Sequence, residues 1–230
     1  MDTLTDNRYK ITLTIGILLA FFYYPVIGHF VFLGRGYTVG TLFYSRLFIW
    51  LEVVVLFAYT KWVEKGRYLL WPEKPHGFWF YPASLGALYL LAIGAGIVSN
   101  IPRLFGLHDS QALMRQMISI VNSSMAMMVF AAITAGVTEE LIFRGYLLPR
   151  LELIFKNKTA AVIVSAAMFA MIHYRYFNVT EIIFAFFIGV IFAIHYQWYR
   201  NIKILIVTHA FIDFVSFLVH RIAAHYHIYR

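Results

Sequence analysis

Apolar residues in this chain come in runs that are long and nearly free of charge. A bilayer core of ~30 Å is crossed by roughly 20 helical residues, so most of these runs are long enough to span a membrane. Two of them, Ala160–Tyr174 and Ile204–Val219, are shorter, and we expect their helices to tilt, to begin inside a polar cavity or to extend beyond the apolar run. The runs are Ile11–Leu33, Leu47–Thr60, Phe78–Ile101, Ser123–Thr138, Ala160–Tyr174, Ile182–Tyr199 and Ile204–Val219.

The same pattern predicts helices rather than strands, because the alternation of apolar and polar residues that marks a membrane β-barrel is missing. We predict an all-α fold, a polytopic transmembrane helical bundle of about seven spans, with an eighth if the chain re-enters the membrane. Mixed polar and apolar positions at residues 107–121 predict an interfacial helix before the fourth span. Residues 1–230 are interpreted as a single integral membrane domain. The first run is too long for the h-region of a signal peptide, about 7–15 residues, and is expected to remain as a span.

Composition supports this class of protein. The chain is 61% hydrophobic and only 13% charged, whereas soluble domains carry about 25% charged residues. The net charge of +8 comes from Lys and Arg that lie mostly between the runs, where they meet anionic lipid headgroups. We therefore expect the lipid bilayer as a partner and no nucleic acid. Twelve Lys and Arg on one side against six on the other favour a cytoplasmic N-terminus.

Ionisable residues inside the runs are the candidates for chemistry, because each costs about 2.5–3.5 kcal/mol to insert. Glu181 suits the first turn of its helix, where a carboxylate complements the helix dipole. His195 lies near the end of its span, where it can reach the interface. Glu52 lies deeper, and the sequence indicates no partner for it. The full set is Glu52, Glu139, Glu140, Arg144, His173, Glu181, His195, His209 and Asp213.

Two adjacent carboxylates interrupt the fourth span. Glu140 and Arg144 are four residues apart, so they share one helix face in the order that favours an ion pair. Glu139 is rotated by about 100° from Glu140 and cannot share that pairing equally. This division predicts one carboxylate held by arginine and a second that is available as a general base. A helix end with solvated charges is the alternative.

Two histidine motifs lie on later spans. His173 follows Phe169 by one turn, and His209 shares a face with Asp213, four residues further on. Residues from three helices can converge in the core of a bundle. With the N-terminus inside, His173 lies near the outer end of its span and His209 nearer the inner end of its own. They can meet only if the spans are offset or the chain around Asn201–Lys203 dips into a cavity.

The three motifs, taken in order, carry a family resemblance. Glu-Glu-x-x-x-Arg at 139–144, Phe-x-x-x-His at 169–173 and His-x-x-x-Asp at 209–213 closely resemble the CPBP family of intramembrane proteases. This family includes type II CAAX-prenyl proteases and bacteriocin-processing and self-immunity proteins. The motifs lie within residues 138–213. The resemblance implies an endopeptidase that cleaves a membrane-tethered or amphipathic peptide or protein substrate, and a location in the plasma (inner) membrane of a prokaryote.

The resemblance also implies roles for individual residues. Glu139 would be the base that activates water, and His173 would help to bind that water. Glu140 and Arg144 would hold the first motif in place. His209 and the fourth residue after it would stabilise the oxyanion. Many family members have Asn at that fourth position, where this chain has Asp213. Because an ionised Asp donates no hydrogen bond, Asp213 is either protonated by its apolar surroundings or orients His209.

The resemblance leaves the catalytic type open. Members of the family have also been described as metalloproteases, and two His plus a Glu form a catalytic zinc set; here that set would be Glu139, His173 and His209. Against zinc, the His-Glu-x-x-His motif is absent, and Glu139 cannot easily be both ligand and base. We favour a cofactor-free mechanism based on glutamate.

Two functions from other classes compete with the protease. One is a catalytically idle membrane protein that binds a peptide and confers immunity, and the other is a small proton-coupled transporter that uses Glu139 and Glu140 as a relay. The presence of all the motif residues argues against the idle protein. A relay would not need the two histidine motifs.

Overall fold

The computed structural model describes residues 7–32, 36, 38–66, 70–106, 112–176 and 178–226. Within these ranges the chain is helical and forms no strand. The π-helical segment Leu141–Leu147 joins α6 to α7 without a break, and the 3₁₀ turn His173–Tyr176 follows α8. The α-helices are α1 (Asn7–Phe32), α2 (Val39–Trp62), α3 (Phe80–Ser99), α4 (Ile101–Leu104), α5 (Ala112–Val121), α6 (Met125–Glu140), α7 (Leu148–Phe155), α8 (Lys158–Ile172), α9 (Val179–Tyr199) and α10 (Ile202–His225).

Six helices in the described ranges are long and apolar enough to cross a membrane. They are α1, α2, α3 with α4, the continuous helix from α6 through α7, α9 and α10. The predicted fifth span is the 15-residue α8, which is about 22 Å long at 1.5 Å per residue and shorter than the bilayer core. The prediction of a polytopic, all-α membrane protein is confirmed.

The two short apolar runs have different outcomes. The helix around Ala160–Tyr174 stays short, whereas α10 begins before Ile204 and continues well beyond Val219. The last ten residues of the predicted interfacial helix lie within the described ranges. Residues 112–121 form α5, and residues 107–111 lie outside the described ranges.

Polar caps determine where the helices of the second half begin. The side chains of Ser124, Asn157, Asn178 and Asn201 each accept a hydrogen bond from the backbone N–H three residues further on. Such caps satisfy backbone donors that a helix leaves unpaired at its N-terminus, and each contributes about 1 kcal/mol. The start of α6, α8, α9 and α10 is therefore fixed by local sequence, which in turn fixes the register of the motif residues.

Two tight connections between helices have the same backbone geometry. Lys156 at the end of α7 and Arg200 at the end of α9 both adopt the left-handed conformation, with φ of 52° and 51°. Each is followed by an asparagine that caps the next helix. A left-handed non-glycine residue costs roughly 1–2 kcal/mol, and here it ends one helix and starts the next within two residues. The helix pairs α7–α8 and α9–α10 are consequently held close together.

Two glycines permit the close helix contacts on which the site depends. A Cβ on Gly136 would lie 2.9 Å from the backbone of Ile206 and Ala210, so α6 and α10 cross nearly backbone to backbone. A Cβ on Gly189 would lie 2.9 Å from Ala166, which gives the same close approach between α9 and α8. Small residues are the usual means of bringing membrane helices together. These contacts bring the motif-bearing helices within side-chain reach of each other.

A buried ion pair ties the first helices to the fourth span. Glu64, which follows α2, accepts hydrogen bonds from Arg150 of α7 through both of its oxygens and from Tyr146 Oη at 2.7 Å. Arg150 also donates to Thr60 Oγ1 at 3.1 Å. Both charged side chains are nearly inaccessible, with exposures of 3% and 7%. Because its oxygens are satisfied by protein donors, Glu64 has a structural role.

Candidate active site

The centre of the candidate site is the buried carboxylate of Glu140. Arg144 Nη1 donates to Glu140 Oε1 over 2.7 Å, and His209 Nδ1 on α10 lies 2.7 Å from the same oxygen. Glu140 is completely buried and Arg144 is 1% exposed. Because a carboxylate can only accept, the contact places the Nδ1 proton on His209. The Glu140–Arg144 pair expected from the spacing is present, and it reaches a third residue on another helix.

Arg144 is enclosed by α8 and α9. Its Nη2 lies 3.4 Å from the backbone oxygens of Ile188 and Gly189. The guanidinium carbon lies 4.6 Å from the ring centre of Phe169 and 5.3 Å from that of Phe192. Aromatic faces stabilise a cation in this position, more strongly when water is excluded. Arg144 thus joins the first motif to the helix that carries the second.

The backbone at the first motif is irregular. Arg144 lies within the π-helical segment Leu141–Leu147, which begins directly after Glu140. Short π-helical segments within α-helices occur frequently at functional sites. The residues from 142 to 147 are all buried, so the segment is a packed part of the core. The periodicity of the sequence does not predict this change of helix type.

The hydrogen-bonded partner of Arg144 is Glu140 and not Glu139, as the spacing predicts. Its Oε2 lies 3.8 Å from Nε2 of His209, and the Asp213 carboxylate lies at the same distance from that nitrogen. Both distances exceed a hydrogen bond but are short for opposite charges. Both ring nitrogens of His209 therefore face carboxylates, an arrangement that suits a doubly protonated, cationic imidazole.

His173 occupies the turn that ends α8. Its Nδ1 lies 2.8 Å from the backbone oxygen of Phe169, and because a carbonyl oxygen only accepts, this contact places a proton on Nδ1. The Phe169 ring lies between the two histidines, 5.0 Å from His173 and 6.2 Å from His209, measured between ring centres. Because α8 has only 15 residues, its end, where His173 lies, is at the site. This is the offset between spans that the two histidines need in order to meet. The histidines share an aromatic neighbour rather than a hydrogen bond.

A cavity of about 100 Å³ adjoins these groups. It is lined by both Glu139 and His173, and its opposite wall comes from α1 and α2. A volume of this size is large enough to hold water. The chemically relevant lining residues are Tyr24, Arg46, Glu52, Glu139 and His173. Glu139 is thus the carboxylate of the first motif that meets the cavity, whereas Glu140 is held within the protein.

The structure places three further charged residues in or beside the site. Arg46 and Glu52 of α2 line the cavity, although spacing along the chain does not connect α2 with the motifs. Glu181 of α9 interacts electrostatically with His173 and Glu139, so the interpretation as a residue that only suits the helix dipole is incomplete. In the sequence, Glu52 and Glu181 are marked as candidates because they are charged residues inside apolar spans. The residues that they interact with are not indicated by the sequence.

The candidate zinc ligands at the site are Glu139, His173 and His209. Among the described residues, no three His, Asp or Glu side chains are arranged to hold a metal ion. Glu139 and His209 approach each other, but Nδ1 of His209 is occupied by Glu140 and Nδ1 of His173 by a backbone oxygen. Hydrogen bonds from Nδ1 to a carboxylate or a backbone oxygen are also the contacts that metal-binding histidines make through their second ring nitrogen.

The buried ion pair yields a prediction about stability. Removing one partner of such a pair leaves the other charge uncompensated, at a cost of about 3–5 kcal/mol. We expect Glu140→Ala and Arg144→Ala each to lower the melting temperature in detergent and to lower activity. The matched control is Glu73→Ala, which removes one partner of the exposed Glu73–Lys203 pair and should change stability by less than about 1 kcal/mol. Wild-type melting of both Glu140→Ala and Arg144→Ala would contradict the buried placement.

Comparison with known proteins places the motifs in a family. Residues 121–215 match the family model described as type II CAAX prenyl endopeptidase Rce1-like. No curated protein and no solved structure matches the chain significantly. The matched segment contains all three motifs, the π-helical segment and α8 to the middle of α10. The match confirms the resemblance that the motifs carry, over the segment that builds the site, which is similar to CAAX-type intramembrane proteases of the CPBP family.

Proposed function

We propose that the protein is an intramembrane endopeptidase in which Glu139 activates the attacking water without a metal. One observation carries this proposal. Of two adjacent carboxylates, Glu140 is neutralised by Arg144 and His209, while Glu139 meets the cavity and is also within 3.8 Å of His209. A general base must be ionised and must reach water. Only Glu139 of the pair meets both requirements.

The reaction begins with the water held between Glu139 and His173. His173 Nε2 carries a lone pair and accepts a hydrogen bond from the water, while Glu139 takes a proton from it. The water oxygen then bonds to the carbon of the peptide carbonyl, and the carbonyl electrons move to oxygen. Positioning of the water by two acceptors aligns it for attack, which contributes through orientation as well as proton transfer.

The developing oxyanion needs positive charge or hydrogen-bond donors close by. His209 supplies a cationic imidazole whose orientation is fixed by Glu140 through Nδ1. Groups held in place before the reaction stabilise such charge most effectively, because they need no reorganisation. Since Glu140 already orients His209, we assign Asp213 to the oxyanion as a protonated donor beside Nε2.

The substrate is proposed to be a peptide that is tethered to the membrane or amphipathic. The matched family is named for prenylated CAAX tails, and a prenylated C-terminal peptide is therefore the first substrate to test. Leader peptides and sorting signals are the other two classes. The location proposed for the protein is the plasma membrane of a prokaryote.

The first test is Glu139→Gln. Glutamine preserves the volume of the side chain but accepts no proton at neutral pH, so peptide hydrolysis should be abolished while folding and membrane insertion persist. The assay uses purified protein in detergent with a fluorogenic farnesylated peptide and an amphipathic leader peptide. Glu73→Gln, at an exposed site, is the control with unchanged activity. Near-normal turnover by Glu139→Gln would eliminate Glu139 as the base.

The role of Asp213 is tested by pH–rate profiles. An Asn amide donates a hydrogen bond at every pH, whereas Asp donates only when protonated. Asp213→Asn should therefore keep activity or raise it, and should extend it to higher pH. Asp213→Ala should lose about 10²–10³-fold, the usual cost of one oxyanion donor. Equal and severe losses in both variants would show instead that Asp213 acts as an anion on His209.

The catalytic type is tested by metal removal. A zinc enzyme stripped by a strong chelator loses activity and recovers it when zinc is added. We expect EDTA and phenanthroline to leave activity unchanged, and elemental analysis to find no stoichiometric metal. One zinc per chain whose content tracks activity would overturn the glutamate mechanism.

A further inference from the structure

Glu52 is a buried carboxyl that the mechanism above does not use. It lies in the middle of α2, outside the matched segment, and is 2% exposed. Its side chain lines the same cavity of about 100 Å³ as Glu139 and His173. Two carboxyls from different helices therefore face one small space in which water and a peptide group would meet.

Glu52 lacks the partners that a structural carboxylate has. Its carboxyl receives no hydrogen bond from any group in the described part of the chain, and the electrostatic partner that acts on it is Glu139. Glu64, also buried and just beyond the end of α2, shows the contrast, because Arg150 and Tyr146 satisfy its oxygens. A carboxyl without protein partners costs stability in an apolar bundle, so a structural role does not account for Glu52.

The surrounding charges decide which carboxyl holds the proton. Two negative carboxylates in one buried cavity repel each other, and one of them then retains a proton. Glu139 has the cationic His209 at 3.8 Å and is the better anion. The electrostatic neighbours of Glu52 on adjacent helices are Tyr23 of α1 and Glu139 of α6, neither of which is a cation, and His173 of α8 lines the same cavity. Arg46 of α2 also lines the cavity, and it interacts electrostatically with Asp213.

We infer that Glu52 is the general acid that donates a proton to the leaving amine. This inference rests on the proposed endopeptidase function. After Glu139 has taken a proton from water and the tetrahedral intermediate has formed, the carbonyl bond re-forms and the C–N bond breaks. The nitrogen keeps the bonding electrons and takes the proton of Glu52. Glu139 then returns its proton to Glu52 through water in the cavity, and both carboxyls regain their starting states.

This division of labour makes a specific prediction about leaving groups. An amine must be protonated as it departs, whereas a thiolate leaves without a proton because thiols are far more acidic, with a pKa near 8.5. General acid catalysis typically contributes about 10²–10⁴-fold. Glu52→Gln should therefore lower kcat for a peptide amide by that factor with little change in KM. It should hydrolyse the same peptide with a thioester at the scissile position at close to the wild-type rate.

The experiment compares Glu52→Gln, Glu52→Leu and Glu139→Gln on a fluorogenic farnesylated peptide and its thioester analogue, with melting temperatures measured for each protein. Glu139→Gln should lose both activities, because both reactions need activated water. Glu52→Leu should lose amide cleavage and keep thioester cleavage. Glu64→Gln is the structural control, which should lower the melting temperature without selectivity between the two substrates.

The outcomes separate the inference from the function on which it rests. Equal losses of amide and thioester cleavage in Glu52→Gln would overturn the role as acid, and so would wild-type amide cleavage by that variant. In either case an active wild-type enzyme with an inactive Glu139→Gln would leave the proposed function standing. A wild-type protein that cleaves neither substrate would overturn the proposed function, and the role of Glu52 with it.

Discussion

The candidate site depends on one constraint, which is that a carboxylate inside an apolar helical bundle must be neutralised by groups of the protein. Glu140 meets this constraint with Arg144 on its own helix and His209 on α10, both at 2.7 Å from the same oxygen. Arg144 in turn needs α8 and α9, which supply two aromatic faces and two backbone oxygens. Satisfying one charge therefore draws together every helix that carries a motif. The close crossings at Gly136 and Gly189 make this geometrically feasible.

The balance of charge around the site extends the same constraint. In the described part of the chain, five carboxyls lie in or beside the site, against two guanidinium groups and two histidines. The carboxyls are Glu52, Glu139, Glu140, Glu181 and Asp213, and the bases are Arg46, Arg144, His173 and His209. Ionisation of all five carboxyls would leave a net negative charge that an apolar interior does not tolerate. Protons must therefore be held on imidazoles or carboxyls within the site. Such a store of protons suits a reaction that moves one proton from water and delivers another to an amine.

Much of this arrangement could be predicted from the chain itself. The apolar runs predict the spans, the Asn and Ser caps lie at their starts, and the spacing of Glu140 and Arg144 predicts their pairing, because all of these are local properties of a helix. The contact between His209 and Glu140 could not be predicted, since sequence separation does not specify which helix faces cross. The π-helical segment at Leu141–Leu147 was missed for a related reason, because packing rather than local propensity selects it. The sequence marks Glu52 as a charge inside an apolar span. Its neighbour Glu139 could not be predicted, because sequence separation does not specify how α2 packs against α6.

The cavity lies between the matched segment of the chain and the helices α1 and α2. The matched segment supplies Glu139, His173 and the residues that fix them, while α1 and α2 lie outside it and supply the opposite wall. The wall from the motif helices is held rigid by buried charge pairs and backbone contacts. The other wall is joined to it by the Glu64–Arg150 pair at one end of α2 and by a long 3.5 Å contact from Trp50 to Thr134 near its middle. A substrate that enters between the two walls would thus meet fixed chemistry on one side and residues such as Arg46 and Glu52 on the other. In this arrangement the two walls of the cavity come from different parts of the chain, because the matched segment carries Glu139 and His173 whereas α2 carries Arg46 and Glu52.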